Sequence, residues 1–194
     1  MRGELTPDQC DAVKESVIDM FEECEIHSWP IDPFEIASKL HYVLRPYSTL
    51  TPAQLAEAFA ESNDAWSRVE MNPITGMYQY VIYYNDWQSP NRIRWSLFHE
   101  IGHCYMGHHD HPDDSLEKIE EAEANLFAKY AIAPPPLVHV LKLKSAADIV
   151  RVFETTDDAG TYSYNYYQKW VLYGPDNYTE FEIRLLRLFN IKAA

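Results

Sequence analysis

Cysteine is scarce in this chain of 194 residues: Cys10, Cys24 and Cys104 make an odd count with no C-x-x-C spacing. That argues against a disulfide framework and points to a reducing compartment, the cytoplasm. Cations are also few, 16 Lys and Arg against 30 Asp and Glu, for a formal charge of −14. Phosphate contacts need clustered Lys and Arg, so direct nucleic-acid binding is not expected. No apolar run approaches the length of a membrane span, which excludes a spanning helix. The first residues, Met1-Arg2-Gly3-Glu4-Leu5, run into a charged helix without an apolar segment, so no signal peptide is expected. Internal repeats and low-complexity tracts are absent as well.

What remains is a chain with 46% apolar residues, enough for a proper core in one domain. Residues 1–136 are expected to form that core unit, with a helical region at 137–194 packed on it. Thr6-Pro7, Asp32-Pro33 and Thr51-Pro52 each place a capping oxygen ahead of a proline, a helix start. Apolar residues then recur at helical spacing in each. Tyr42-Val43-Leu44 reads as a brief strand. Trp66 to Met71 alternates, a turn follows at residues 72–76, and Tyr78 to Tyr84 is rich in aromatic and β-branched residues. These two stretches predict an antiparallel hairpin. A helix from about Asn91 should bury Trp95, Phe98, Gly102 and Met106. After a polar loop, Ser115 opens a long helix that Pro134-Pro135-Pro136 ends, and the remainder reads as helical. The fold class is therefore α+β, mainly helical, with a small antiparallel sheet beside the helix that begins near Asn91.

That helix carries His99-Glu100-Ile101-Gly102-His103, an H-E-x-x-H motif. Residues four apart share a helix face, so both imidazoles can bind a single zinc ion while Glu100 takes a proton from a bound water. The plain alternative is a chance match on an amphipathic helix. Cys104 directly follows His103 and points about 100° away from it, so it reads as a buried small residue.

Zinc needs a third protein ligand, and two candidates compete. His109 stands six residues after His103, as in the metzincin pattern H-E-x-x-H-x-x-G-x-x-H. That pattern needs Gly three residues after the second His, where this chain has Met106, with the glycine displaced to Gly107. It also needs a downstream Met-turn, and no methionine follows Met106. His108, His109 and His111 therefore read as a solvated loop. The other candidate is Glu121, on the next helix. Glu121 and Asn125 are four apart and share a face, so the amide of Asn125 can support the site from behind. Glu123 lies roughly 200° around the helix from Glu121 and cannot face the same metal. The packing pattern Ala122, Leu126, Phe127 and Ala128 lifts Glu121 above a merely solvated acidic face.

With these residues in view, the chain resembles the ImmA/IrrE family of metallopeptidases. Trp29 to Ala37 is similar to the family's N-terminal Pro-x-Asp segment, and Ile82-Tyr83-Tyr84-Asn85 to the strand ahead of its active-site helix. Asn91 to His103 resembles its Arg-x-Arg-Phe-(Thr/Ser)-Leu-Ala-His-Glu-(Leu/Ile)-Gly-His, and Glu121 to Pro134 its Glu-x-Glu-Ala-Asn-x-Phe-Ala segment. Phe98 departs from the family's small Ala, and Ala131-Ile132-Ala133 from its Leu-Leu-Met, which bears on pocket shape. The resemblance implies a zincin-like fold, one zinc ion held by His99, His103 and Glu121, and Glu100 as catalytic base. It also implies a protein or peptide substrate, in several members a helix-turn-helix repressor encoded by a mobile element or stress-response locus.

The expected activity is zinc-dependent endopeptidase hydrolysis, with the strand Tyr78 to Tyr84 holding an extended substrate by β-augmentation. The alternative is a non-catalytic, zinc-containing regulator that binds a repressor or antitoxin. A structural zinc in that reading needs a closed site with a fourth ligand, which His108, His109 or His111 could supply.

Overall fold

Four helices begin on the same local device, an oxygen-bearing side chain followed by proline. Thr6 accepts from the Gln9 N–H, Asp32 from Phe34, Thr51 from Gln54 and Ser89 from Arg92. Each cap satisfies a backbone donor that the first turn leaves without a partner, and proline costs nothing there because its missing N–H is not needed. In the computed structural model, which describes residues 5–110, 116–174 and 176–192, the helices are α1 (Pro7–Glu23), α2 (Pro33–Lys39), α3 (Pro52–Glu61), α4 (Pro90–Tyr105), α5 (Glu117–Ile132), α6 (Pro135–Val140), α7 (Ala146–Phe153), α8 (Asp157–Trp170) and α9 (Glu180–Leu188). Strands β1 (Val43–Pro46), β2 (Ala65–Met71) and β3 (Tyr78–Tyr84) stand between α2 and α4 in the chain, and a 3-10 turn at His108–Asp110 follows α4. The α+β, mainly helical, zincin-like architecture expected from the sequence is the one observed.

The hairpin is also as expected: β2 and β3 pair antiparallel from Met71↔Tyr78 to Ala65↔Tyr84. The sheet is nevertheless mixed. β1 lies on the far side of β3 and runs parallel to it, Val43↔Val81 through Pro46↔Tyr84, giving the order β1-β3-β2. Parallel pairing requires a long crossover, here through α3 and β2, so nothing local in the sequence announces it. One consequence corrects an expectation. β3 is paired along both edges and cannot receive a further strand. Among the described residues the open edges belong to β1 and β2, and the one beside the cleft is that of β2.

The two sheet faces are covered differently. Val81 and Tyr83 pack with Tyr47 and Ala58 under α3, a small separate cluster. Ile82 points the other way, into the main core under α4. That core joins Val13, Val17 and Phe21 of α1 to Phe98 and Ile101 of α4, Phe127 and Ala131 of α5, and Leu185 and Leu186 of α9. Leu137 and Val138 of α6 enter the same cluster. Among the positions expected to be buried on α4, Phe98 and Gly102 are, whereas Trp95 and Met106 are only part-buried at the margin. α4 is enclosed by sheet and α5 together, so Leu97, Ile101 and Cys104 are buried as well, and Trp95 is left facing a cleft.

Gly102 sets how near α5 can come. A Cβ built there would stand 3.0 Å from Cγ of the fully buried Phe127. Ser115 lies outside the described residues. The helix after it starts at Glu117, with Leu116 at its cap and no side-chain bond. No helix among the described residues is long and apolar enough to cross a membrane.

Candidate metal centre

His99 and His103 are one turn apart on α4, and their side chains are 16% and 13% exposed. Their Nε2 atoms face each other at 3.1 Å. Glu121 of α5 reaches across, with Oε2 3.6 Å from His99 Nε2 and Oε1 3.3 Å from His103 Nε2. A tetrahedral ion with bonds of about 2.0–2.1 Å sets its ligand atoms about 3.3 Å apart. The His99–His103 separation and that from His103 to Glu121 Oε1 are close to such an edge, with the second carboxylate oxygen near His99. Two imidazole nitrogens and a carboxylate form a donor set that suits zinc, and the set is neutralising rather than repulsive.

Protonation favours metal binding as well. Burial, with His103 as a like-charged neighbour, holds His99 down to about 4, so its ring is neutral at ordinary pH. The hydrogen bond from His103 holds the Glu121 carboxyl below its usual value, so it is ionised.

Glu100 is next to His99 in sequence but points toward β2. It is buried, 8% exposed, and its Oε2 accepts a 2.6 Å hydrogen bond from Ser67 Oγ. Burial pushes its pKa up, opposed by that hydrogen bond. Ser67 also lies 2.9 Å from His109 Nε2. The His109 ring stands 6.2 Å from that of His103 and 6.0 Å from Tyr80.

His108 is not in a solvated loop. Gly107, at φ 74°, turns the chain sharply out of α4 and folds the next residue back. The His108 side chain is only 8% exposed, and its Nδ1 lies 2.9 Å from His103 Nδ1. Its Nε2 is 3.2 Å from Glu123 Oε2, an ion-pair distance without hydrogen-bond geometry. Burial holds His108 down to about 4. For His103 Nε2 to hold a metal, the arrangement required is that His103 donates from Nδ1 to His108 Nδ1, and His108 carries its proton on Nε2 toward Glu123. His103 Nε2 is then a free lone pair aimed at the site, the usual role of a carboxylate or backbone acceptor behind a ligating imidazole. Glu123 lies outside the group of His99, His103 and Glu121, as its place on the helix requires, and faces His108 instead. His111 lies outside the described residues.

Asn125 borders the cleft and donates from Nδ2 to the Glu121 carbonyl at 2.7 Å. Cys104 is buried, and burial pushes its thiol up to about 12, so it offers no thiolate. Ser67 has no place in the sequence reasoning about the site, His108 enters it only as a possible fourth ligand, and Glu123 is set aside there. Gly107 was the available signal for His108, since an out-of-helix turn one residue late redirects the histidine after it.

His99, Glu100, His103, His109, Glu121 and Asn125 line a cleft of about 450 Å³ between α4 and β2, walled by Ala65, Trp66 and Ser67 on one side and Trp95 on the other. A second cavity of about 280 Å³ shares Asp64, Trp95 and Ser96 with it, extending the groove toward the start of α8. β2 lies along this groove with no strand beyond it among the described residues. Asn85 N donates to Asp64 O, and Asn72 N to Met77 O, so the even-numbered residues of β2 bond to β3. Ser67 and Val69 thus turn their backbone N–H and C=O to the open edge.

A pair of histidines on one helix and a glutamate from the next form a group that could hold a metal ion, beside a buried glutamate and an open sheet edge. The family model for the IrrE N-terminal-like domain, family M78 of the peptidases, matches residues 53–156, more than half the chain. The chain belongs to this family. No curated protein matches it.

Proposed function

We propose that the protein is a zinc-dependent endopeptidase in which His99, His103 and Glu121 hold one zinc ion and Glu100 is the proton acceptor. The observation that carries this is the trio of ligand atoms within 4.8 Å of one another, set beside a buried glutamate and open to a cleft. Zinc bound there would supply a Lewis acid that acidifies water and polarises a peptide carbonyl.

The protein's own residues divide the remaining work. His99, His103 and Glu121 would hold the ion against the cleft, which is open to water and substrate. Glu100 takes the water proton and passes it to the leaving amine, and its raised pKa suits that exchange. The open edge of β2 binds an extended peptide through the Ser67 and Val69 backbone groups, in place of β3. Trp95 and the groove beyond it take side chains of the substrate.

A closed structural site lacks support among the described histidines. The group of described residues whose ligand atoms converge comprises His99, His103 and Glu121 and includes neither His108 nor His109. The natural substrate in this reading is a helix-turn-helix repressor, which rests on the family resemblance, and the three unpaired thiols favour the cytoplasm. Metal titration of the apoprotein by calorimetry tests the centre. One zinc per chain is expected, lost in His99→Ala, His103→Ala and Glu121→Ala. Undiminished binding in all three variants would overturn the assignment.

A further inference from the structure

Ser67 belongs to two parts of the site at once. Its backbone sits in the strand whose open edge borders the cleft, with N–H and C=O turned outward. Its hydroxyl turns inward to Glu100 Oε2 at 2.6 Å and to His109 Nε2 at 2.9 Å. A hydroxyl has a single proton, and the acceptor-only carboxylate takes it. His109 must then carry its proton on Nε2 and donate to Ser67 Oγ. The result is a directed chain, His109 to Ser67 to Glu100.

We propose that Ser67 is the positioning residue for Glu100, and that His109 fixes Ser67 in turn. This rests on the reading of Glu100 as proton acceptor. A glutamate side chain has three torsions, and a buried carboxylate with no fixed donor turns within its pocket. Pinning Oε2 leaves Oε1 as the oxygen that meets the reacting water. The same residue would bond to the substrate backbone on the outer edge of β2. Substrate and base are therefore registered against one another through a single residue, which is where a small misplacement is most costly. The third histidine that stands at metzincin spacing thus acts on the base and not on the metal.

The test compares Ser67→Ala and Ser67→Thr with wild type, all zinc-loaded, on an internally quenched peptide library. Ser67→Ala is expected to lower kcat by about 10–100-fold with KM within about 2-fold, the signature of lost alignment and not of lost binding. Zinc stoichiometry and melting temperature stay at the wild-type values, and Ser67→Thr, which keeps the hydroxyl, restores most of kcat. Crystal structures of the three proteins give a readout apart from activity: Glu100 occupies one rotamer in wild type and Ser67→Thr and leaves it in Ser67→Ala. Should wild type cleave no peptide, the reading of the site fails, and the Glu100 rotamer still decides this inference. An unmoved Glu100 in Ser67→Ala, or a loss that falls on KM or on zinc content, overturns it.

Discussion

His103 and His108 meet Nδ1 to Nδ1 at 2.9 Å, so the residue after the Gly107 turn holds the back of the imidazole whose front faces Glu121. Removing such a support commonly costs 10–100-fold in metal affinity, because the ring is no longer fixed in tautomer or orientation. His108→Ala is expected to weaken zinc binding by about that factor, and Glu123→Ala by less, since its contact lacks hydrogen-bond geometry. Competition against a chelator of known affinity measures both. Wild-type affinity in His108→Ala would remove the support from the account.

Glu100→Gln should make the metal-free protein more stable at neutral pH while it abolishes catalysis. Burial raises the Glu100 pKa in the folded state above its unfolded value. For a carboxyl shifted this way, the ionised form costs stability, and that cost grows as pH rises through the unfolded value. Glutamine keeps the shape and the Ser67 bond without the charge. A gain of about 1 kcal/mol corresponds to roughly 2–4 °C in melting temperature for a protein of this size. Calorimetry at pH 7 checks it, and a clear drop in melting temperature would contradict it.

The pH dependence of the apoprotein should show the opposite limb. His99 and His108 are each held down to about 4 by burial, against about 6.5 in an unfolded chain. Above pH 6.5 both states hold these rings neutral, and stability is full. Between about pH 6.5 and 4 the unfolded chain gains protons that the folded one refuses, so stability falls as pH falls. Below about 4 this contribution levels off. Urea titrations across that range measure it. His108→Gln should flatten part of the slope, and a slope identical to wild type would show that His108 does not contribute.

Gly102→Ala tests how closely α5 must approach. Alanine favours a helix over glycine by about 1 kcal/mol, which would stabilise α4. Against this, the new methyl would lie 3.0–3.1 Å from three atoms of Phe127, a side chain with no room to withdraw. Overpacking of that kind costs about 1–3 kcal/mol, so the net is a modest loss. Because the same displacement carries Glu121 outward on α5, zinc affinity should fall as well. A raised melting temperature with unchanged zinc affinity would show that Phe127 yields easily.

What could be read from the sequence was what short-range chemistry encodes. Thr6, Asp32 and Thr51 cap their helices through bonds to residues two or three ahead, and the prolines beside them mark the same positions. His99 and His103 share a face because the helix repeat puts them there, and the packing residues around Glu121 point α5 inward. The rest depended on distant parts of the chain. β1 joins β3 in parallel across α3 and β2, which leaves β2 and not β3 as the open edge at the cleft. Ser67 meets Glu100 from 33 residues away, strand to helix, and no periodicity connects them. His108 looked like a loop residue because the consequence of Gly107's positive φ is a direction in space, which spacing alone does not give.

The central claim is that Glu100 performs proton transfer at a single metal held by its neighbours. Zinc-loaded wild type and Glu100→Gln, matched for metal content, can be incubated with the same peptide library and the products read by mass spectrometry. The account predicts cleavage at defined bonds by wild type and a loss of about 10²–10⁴-fold in Glu100→Gln with its zinc retained. Equal cleavage by the two proteins, or none by wild type, would contradict it.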